Sequence, residues 1–170
     1  MTDHSPDQPT LLAVDLGLRA GLALYGRDGR LHWYRSHNFG TMTRLKRGVY
    51  TILHELPQLH WLVLEGGGPL AAVSGKEAAS HSIGVMGVSA EEWRARLLTD
   101  RQQRSGVEAK QNADTLARAV IDWSSADRPT TLRHDAAEAI LIGLWGVHQV
   151  GWLQAARGEL PPDLQQLATR

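Results

Sequence analysis

The sequence predicts an α/β domain built on a mixed five-stranded sheet with helices on both faces. Three observations point there. Apolar runs of strand length come first, an amphipathic helix leads into a further apolar run, and helical periodicity dominates the second half. Strands and helices interleaved in this way indicate one layered α/β unit. The chain's 170 residues, 42% of them hydrophobic, suit a single domain with a sizeable core.

Residues 1–9 are polar and read as a disordered N-terminus. The domain is expected over 10–150. Residues 11–14 form a short apolar run that stops at Asp15, and after Gly17 and Gly21 a second run covers 22–25. Gly26-Arg27-Asp28-Gly29 is a turn signal, and 31–34 beyond it reads as a third strand, giving an antiparallel meander. Leu45, Val49, Ile52, Leu53 and Leu56 then recur at helical spacing, so a helix is expected over 43–55, ahead of Pro57. It feeds the continuous apolar run 61–65. A strand reached through a crossover helix is expected to lie parallel to the first and to be buried on both faces.

Gly66-Gly67-Gly68-Pro69 reads as the start of a loop over 66–75, either one that flexes over a bound substrate or an ordinary glycine-rich connection, followed by a short helix over 75–83 and a fifth strand over 85–88. Ser89 and Glu92 match a capping box, which starts a helix running through Trp93 and Leu97. Further helices are expected from 107 to 123 and from 132 or 133 to 148 or 149. Residues 151–170, with Pro161-Pro162, are weakly patterned and read as a C-terminal tail.

The absence of cysteine excludes disulfides, Cys-ligated zinc, iron–sulfur clusters and thiol catalysis. The polar start lacks the plan of a secretory signal, and no apolar run approaches the roughly 20 residues of a membrane span. A soluble, cytoplasmic protein is therefore expected. Eighteen Lys and Arg balance eighteen Asp and Glu, so total charge says nothing about a nucleic-acid partner.

Four acidic residues in three places are the candidates for chemistry. The alternative readings are a turn or cap leading into Gly17 for Asp15 and a solvent-facing strand-end acid for Glu65. Asp15 directly follows an apolar strand, at the carboxyl end where ligands of open α/β sheets collect. Glu65 likewise ends a buried strand, and the glycines after it leave the backbone open to close approach. Asp135 and Glu138 are spaced to share one face of the last helix, among small residues that let that turn pack tightly on the sheet. Dipole complementarity explains Asp135 in the first turn. It does not explain Glu138, which lies on an apolar face with Leu141, Ile142 and Trp145. Clustered at one sheet edge, these four carboxylates suit Mg²⁺ or Mn²⁺, ions that are commonly shared with phosphate oxygens. Two such ions assist in-line phosphoryl displacement. His134 reads as a helix cap or surface residue, with proton transfer as its alternative role.

In order and context, Leu11-Leu12-Ala13-Val14-Asp15-Leu16-Gly17, Leu62-Val63-Leu64-Glu65 and Asp135-Ala136-Ala137-Glu138-Ala139 resemble the RuvC type of Holliday junction resolvase in the RNase H-like superfamily. Trp93 with its following residues, and 137–146, look closest to the phage and chloroplast resolvases. The likeness covers about residues 10–149. It implies an RNase H-like fold and two Mg²⁺ ions per active site, with Mn²⁺ as a substitute. Asp15 would be the shared ligand, Glu65 the second strand-end ligand, and Asp135 and Glu138 the helix-borne acids. It also implies a homodimer that makes paired nicks in a four-way DNA junction. Two departures are a Glu at 138, where the bacterial form often has Asp, and a shorter segment between Glu65 and the fifth strand.

DNA contacts are expected from local basic stretches, since phosphate contacts supply most sequence-independent affinity. Arg96, Arg101, Arg104 and Lys110 lie in a stretch where basic residues outnumber acidic ones, and Lys110 matches a lysine-bearing family segment. Arg44, Lys46 and Arg47 form a second cluster. Each is equally readable as part of a solvated helix face. The alternatives to a resolvase are a catalytically weak junction-binding protein, a nuclease of other branched DNA or RNA–DNA hybrids, and an ATP-binding relative of the actin and sugar-kinase group.

Overall fold

The computed structural model describes residues 7–156 and 159–168. The expected order of elements holds. Strands β1 (Thr10–Asp15), β2 (Arg19–Gly26) and β3 (Leu31–Asn38) form the meander, followed by α1 (Met42–Glu55), β4 (Leu59–Glu65), α2 (Gly68–Ser80) and β5 (Gly84–Val88). Then come α3 (Ala90–Leu97), a 3-10 turn (Asp100–Gln103), α4 (Gly106–Ser124), α5 (His134–Gln149), α6 (Trp152–Ala155) and α7 (Pro162–Ala168). The sheet runs β3-β2-β1-β4-β5, with β1 antiparallel to β2 and parallel to β4.

Successive side chains of a strand point to opposite faces, and both faces of this sheet are covered. Leu11, Ala13, Ala23, Tyr25 and Val63 belong to one core with Trp93 of α3, Ala117 and Val120 of α4 and most of α5. Leu12, Val14, Leu22, Leu24, Leu62 and Leu64 belong to the other, beneath Leu53 of α1 and Ala78 of α2. Burial on two sides is why β1 and β4 read as continuous apolar runs. The capping box forms as expected, with Glu92 N–H donating to Ser89 Oγ at 3.1 Å and Ser89 N–H donating to Glu92 Oε2 at 2.7 Å.

Two expectations are corrected. The segment after Glu65 is helical rather than a flexible loop, because α2 starts at Gly68 with Pro69 in its first turn. Proline lacks only an N–H that is unpaired there anyway, and the residues beyond it are mostly good helix formers. The stretch after Gly151 is also no loose tail: Leu153, Leu160 and Leu164 are buried in the same core as α5, and Trp123 Nε1 donates to the Glu159 carbonyl at 3.0 Å. The expected disorder of residues 1–6 lies outside the described residues. Among the described residues no helix is long and apolar enough to cross a membrane.

Candidate metal centre

Strand register decides where the acids stand. Asp15 pairs with Glu65 on β4 and with Gly21 on β2; Gly21 pairs with Ser36 on β3, and Glu65 with Val88 on β5. These residues form one row across the sheet. Residues 11, 13 and 63 face α5, so the same alternation sends Asp15 and Glu65 to the α5 side.

The N-terminal turn of α5 lies directly over this row. A Cβ at Gly21 would fall 1.8 Å from the Asp135 carbonyl oxygen, so only glycine permits the approach. Farther along the helix, buried Tyr25 donates its hydroxyl to the Ile140 carbonyl at 2.6 Å, and the tyrosine ring fills the space beside Gly143. Held this close, α5 brings Glu138 down to the strand ends. Asp15, Glu65 and Glu138 each place a carboxylate oxygen within 4.8 Å of the others.

Asp135 departs from the expected cluster of four. It is not part of that trio, and its Oδ2 accepts from Ser36 Oγ on β3. Asp135 and Glu138 are one turn apart along the helix, so they sit over different strands. Asp135 nevertheless contributes to the field at Asp15.

The electrostatics are those of half-buried like charges. Asp15 is pushed up from 3.8 to about 7, first by burial, then by the charges of Glu138 and Glu65, and further by hydrogen bonding with Glu138. Glu65 is also raised, by burial and by Glu138, against the opposing pull of Trp93 and Arg94. Arg94 Nη2 donates to Glu138 Oε1 at 2.7 Å, and His134 Nε2 lies 3.3 Å from the same oxygen. Trp93 is fully buried, and its indole N–H is directed at Glu65 but stops short of hydrogen-bonding geometry.

This arrangement fits a divalent cation. Around an octahedral Mg²⁺ with bonds of about 2.1 Å, ligand oxygens lie roughly 3–4 Å apart, and the three acids here offer oxygens within 4.8 Å of one another. The three carboxylates also repel one another without a cation, and the unpaired Trp93 N–H is available to a Glu65 carboxylate reoriented by a metal.

The basic residues separate into groups. Lys110 and His134 line an open groove of about 520 Å³ along α4 and the start of α5, which also touches Ala137 beside Glu138. Arg101 and Arg104 are exposed around the 3-10 turn, and Arg44, Lys46 and Arg47 are exposed on α1. Helix α1 starts just after β3, which is parallel to β1, so its first turns stand at the sheet edge that carries the acids. Arg96 is turned elsewhere, with Nη2 2.8 Å from His148 Nε2. That places it about 15 Å along α5 from Glu138. Arg94 contacts the centre most directly and was hidden among similar residues of the basic stretch. Its signal was position: α3 follows immediately after β5, whose last residue, Val88, ends the row.

No protein-family model and no curated protein matches the chain. Among solved structures, Thermus thermophilus RuvC in complex with a Holliday junction substrate matches with a TM-score of 0.55 and 14% identity, over 86% of this chain and 97% of that one. The yeast mitochondrial Holliday junction resolvase Ydc2 matches with a TM-score of 0.47 and 16% identity, over 97% of this chain and 88% of that one. The mixed five-stranded sheet with helices on both faces is thus the RuvC-type, RNase H-like fold.

Proposed function

We propose that the protein is a divalent-metal-dependent endonuclease of branched DNA, a Holliday junction resolvase that works as a homodimer and nicks four-way junctions in pairs. The convergence of Asp15, Glu65 and Glu138 beneath a helix that also carries Asp135 is the observation that supports this reading most. Hard oxygen donors of this kind take Mg²⁺ or Mn²⁺. Asp15, Glu65 and Glu138 would hold one ion, and Asp135 is the remaining donor for a second. Such a pair supplies an activated water and stabilises the leaving oxygen of phosphodiester hydrolysis.

The chain's own groups do the rest. Lys110 offers a cation to a backbone phosphate lying in the groove, and His134 stands at the groove wall within reach of Glu138 to hold or pass a proton. Arg94 neutralises Glu138 in the metal-free protein, and once a metal takes that role its guanidinium is available to a phosphate oxygen. Arg44, Lys46, Arg47, Arg101 and Arg104 extend the positive surface for the arms of the substrate. Because the fold neighbour was solved on a Holliday junction, the four-way junction is the first substrate to try.

The test sets a synthetic four-way junction beside a flap, a replication fork and an RNA–DNA hybrid, in Mg²⁺ and in Mn²⁺. Paired, metal-dependent nicking of the junction, lost in Asp15→Asn and Glu65→Gln with folding unchanged, is the expected result. Equal cleavage by those variants would overturn the assigned chemistry, and preference for the hybrid would overturn the substrate. One observation favours a second reading, a junction-binding protein that does not cut: the Arg94–Glu138 ion pair already provides an internal cation at the cluster. That reading requires junction binding with no nicking in Mn²⁺.

A further inference from the structure

A second group of metal-binding side chains lies between α1 and α2, on the sheet face opposite α5. His54 sits in the last turn of α1, Glu77 in the last turns of α2, and His81 at the C-terminal cap of α2. One ligand atom from each falls within 4.8 Å of the other two. His81 Nε2 is 3.2 Å from Glu77 Oε1. The His54 and His81 rings meet edge to face with centroids 4.5 Å apart, and the Tyr50 ring also meets His54 edge to face, with centroids 4.0 Å apart.

We propose that His54, Glu77 and His81 form a second, independent metal site for an ion of the Zn²⁺ class, clamping the end of α1 to the end of α2. Two imidazoles and one carboxylate are a recurrent zinc donor set, with water completing the tetrahedron. On a tetrahedron with bonds of about 2.0–2.1 Å, ligand atoms stand about 3.3 Å apart. The Glu77–His81 separation already has that value. Two helix C-termini converge here, and their carbonyl ends favour a cation. Among the described residues, Glu77 makes no ion pair with Lys or Arg; its partner is His81.

Donor chemistry sorts ions between the two sites. Imidazole nitrogen selects Zn²⁺, Co²⁺ or Ni²⁺ over Mg²⁺, whereas the all-oxygen cluster on the other face suits Mg²⁺ or Mn²⁺. The inference does not depend on the nuclease reading, because the two sites share no residue.

The experiment uses the full chain without an affinity tag, carrying Asp15→Asn and Glu65→Gln so that the acidic cluster is disabled. Zn²⁺ is titrated calorimetrically and Co²⁺ by visible absorption. One equivalent of Zn²⁺ is expected to bind and raise the melting temperature, and Co²⁺ is expected to show the intense bands of a four-coordinate site. His54→Ala and His81→Gln, both at exposed positions, should each weaken Zn²⁺ by more than about 100-fold and abolish the bands, since even residues that only support metal ligands cost about 10–100-fold. A millimolar excess of Mg²⁺ should not displace the ion. Absence of saturable Zn²⁺ binding, or binding unchanged by both substitutions, overturns the proposal.

Discussion

On the α1/α2 side of the central strands, Leu12, Val14, Leu62 and Leu64 belong to an apolar layer with Leu53 of α1, Ala78 of α2 and Ile83. On the α5 side, Leu11, Ala13 and Val63 pack just as densely, yet the next residues in the alternation are Asp15 and Glu65. The two faces differ by one residue of strand phase. A slip of one residue would drive both carboxylates toward the apolar layer under α1 and α2, at the cost of burying charge among leucines. On the α5 side they meet Glu138, Arg94 and space for a cation. Register is therefore what separates a structural face from a chemical one.

Substitutions at neighbouring positions test that division. Asp15→Asn and Glu65→Gln should abolish junction cleavage, lowering its rate by well over about 100-fold, the upper range for residues that only support metal ligands. Their melting temperatures should be equal to or above the parent's, since each removes a repelling charge. Leu64→Ala, one residue from Glu65 but on the other face, should cost about 2–5 kcal/mol in denaturant unfolding. The folded fraction should keep its metal affinity. A change in metal affinity without a loss of stability would break the comparison.

Gly21→Ala should cost about 1–3 kcal/mol because the new methyl overlaps the Asp135 carbonyl. Cleavage should fall as well, since α5 must lift and carry Glu138 with it. The effect of pH is smaller. The folded, metal-free protein keeps the Asp15 proton up to about 7, whereas the unfolded chain releases it near 3.8. The folded state therefore binds the extra proton between those values, and this contribution, complete below pH 3.8, is lost as pH rises toward 7. Melting curves should show this decline in the parent and a shallower one in Asp15→Asn, with saturating Mn²⁺ reversing it near neutral pH. Identical slopes in the two proteins would contradict the raised Asp15 value. Smallest of all, Gly87→Ala should stay within about 0.5 kcal/mol, because Gly87 pairs with Leu64 and has open space where its Cβ would go.

Much of this division is legible in the sequence. Asp15 and Glu65 stand out because each ends an apolar run long enough for a strand buried on both faces, and Glu138 because it interrupts an apolar helical face. Asp135 reads as their equal, yet its hydroxyl partner comes from β3 through a pairing with β2 that no local pattern encodes. Arg94 and Arg96 are equivalent as sequence neighbours; only the rotation of α3 sends one to Glu138 and the other to His148. Three consecutive glycines suggested a loop, but Pro69 and the alanines behind it make a helix. Leu153, Leu160 and Leu164 escape notice because α6 and the segment around Pro161 are too short for periodicity to register, although tertiary burial fixes all three side chains.

The hydrogen bond from Tyr25 to Ile140 joins residues 115 positions apart, and the acidic cluster of Asp15, Glu65 and Glu138 spans a similar stretch of chain. Proteins are made from the N-terminus onward, and contacts between distant segments close late. A nascent chain that has released only β1 to β4 from the ribosome carries Asp15 and Glu65 without the helix that supplies Glu138. Completion of the acidic cluster is thus tied to synthesis of α5, which lies more than 100 residues beyond Asp15 along the chain.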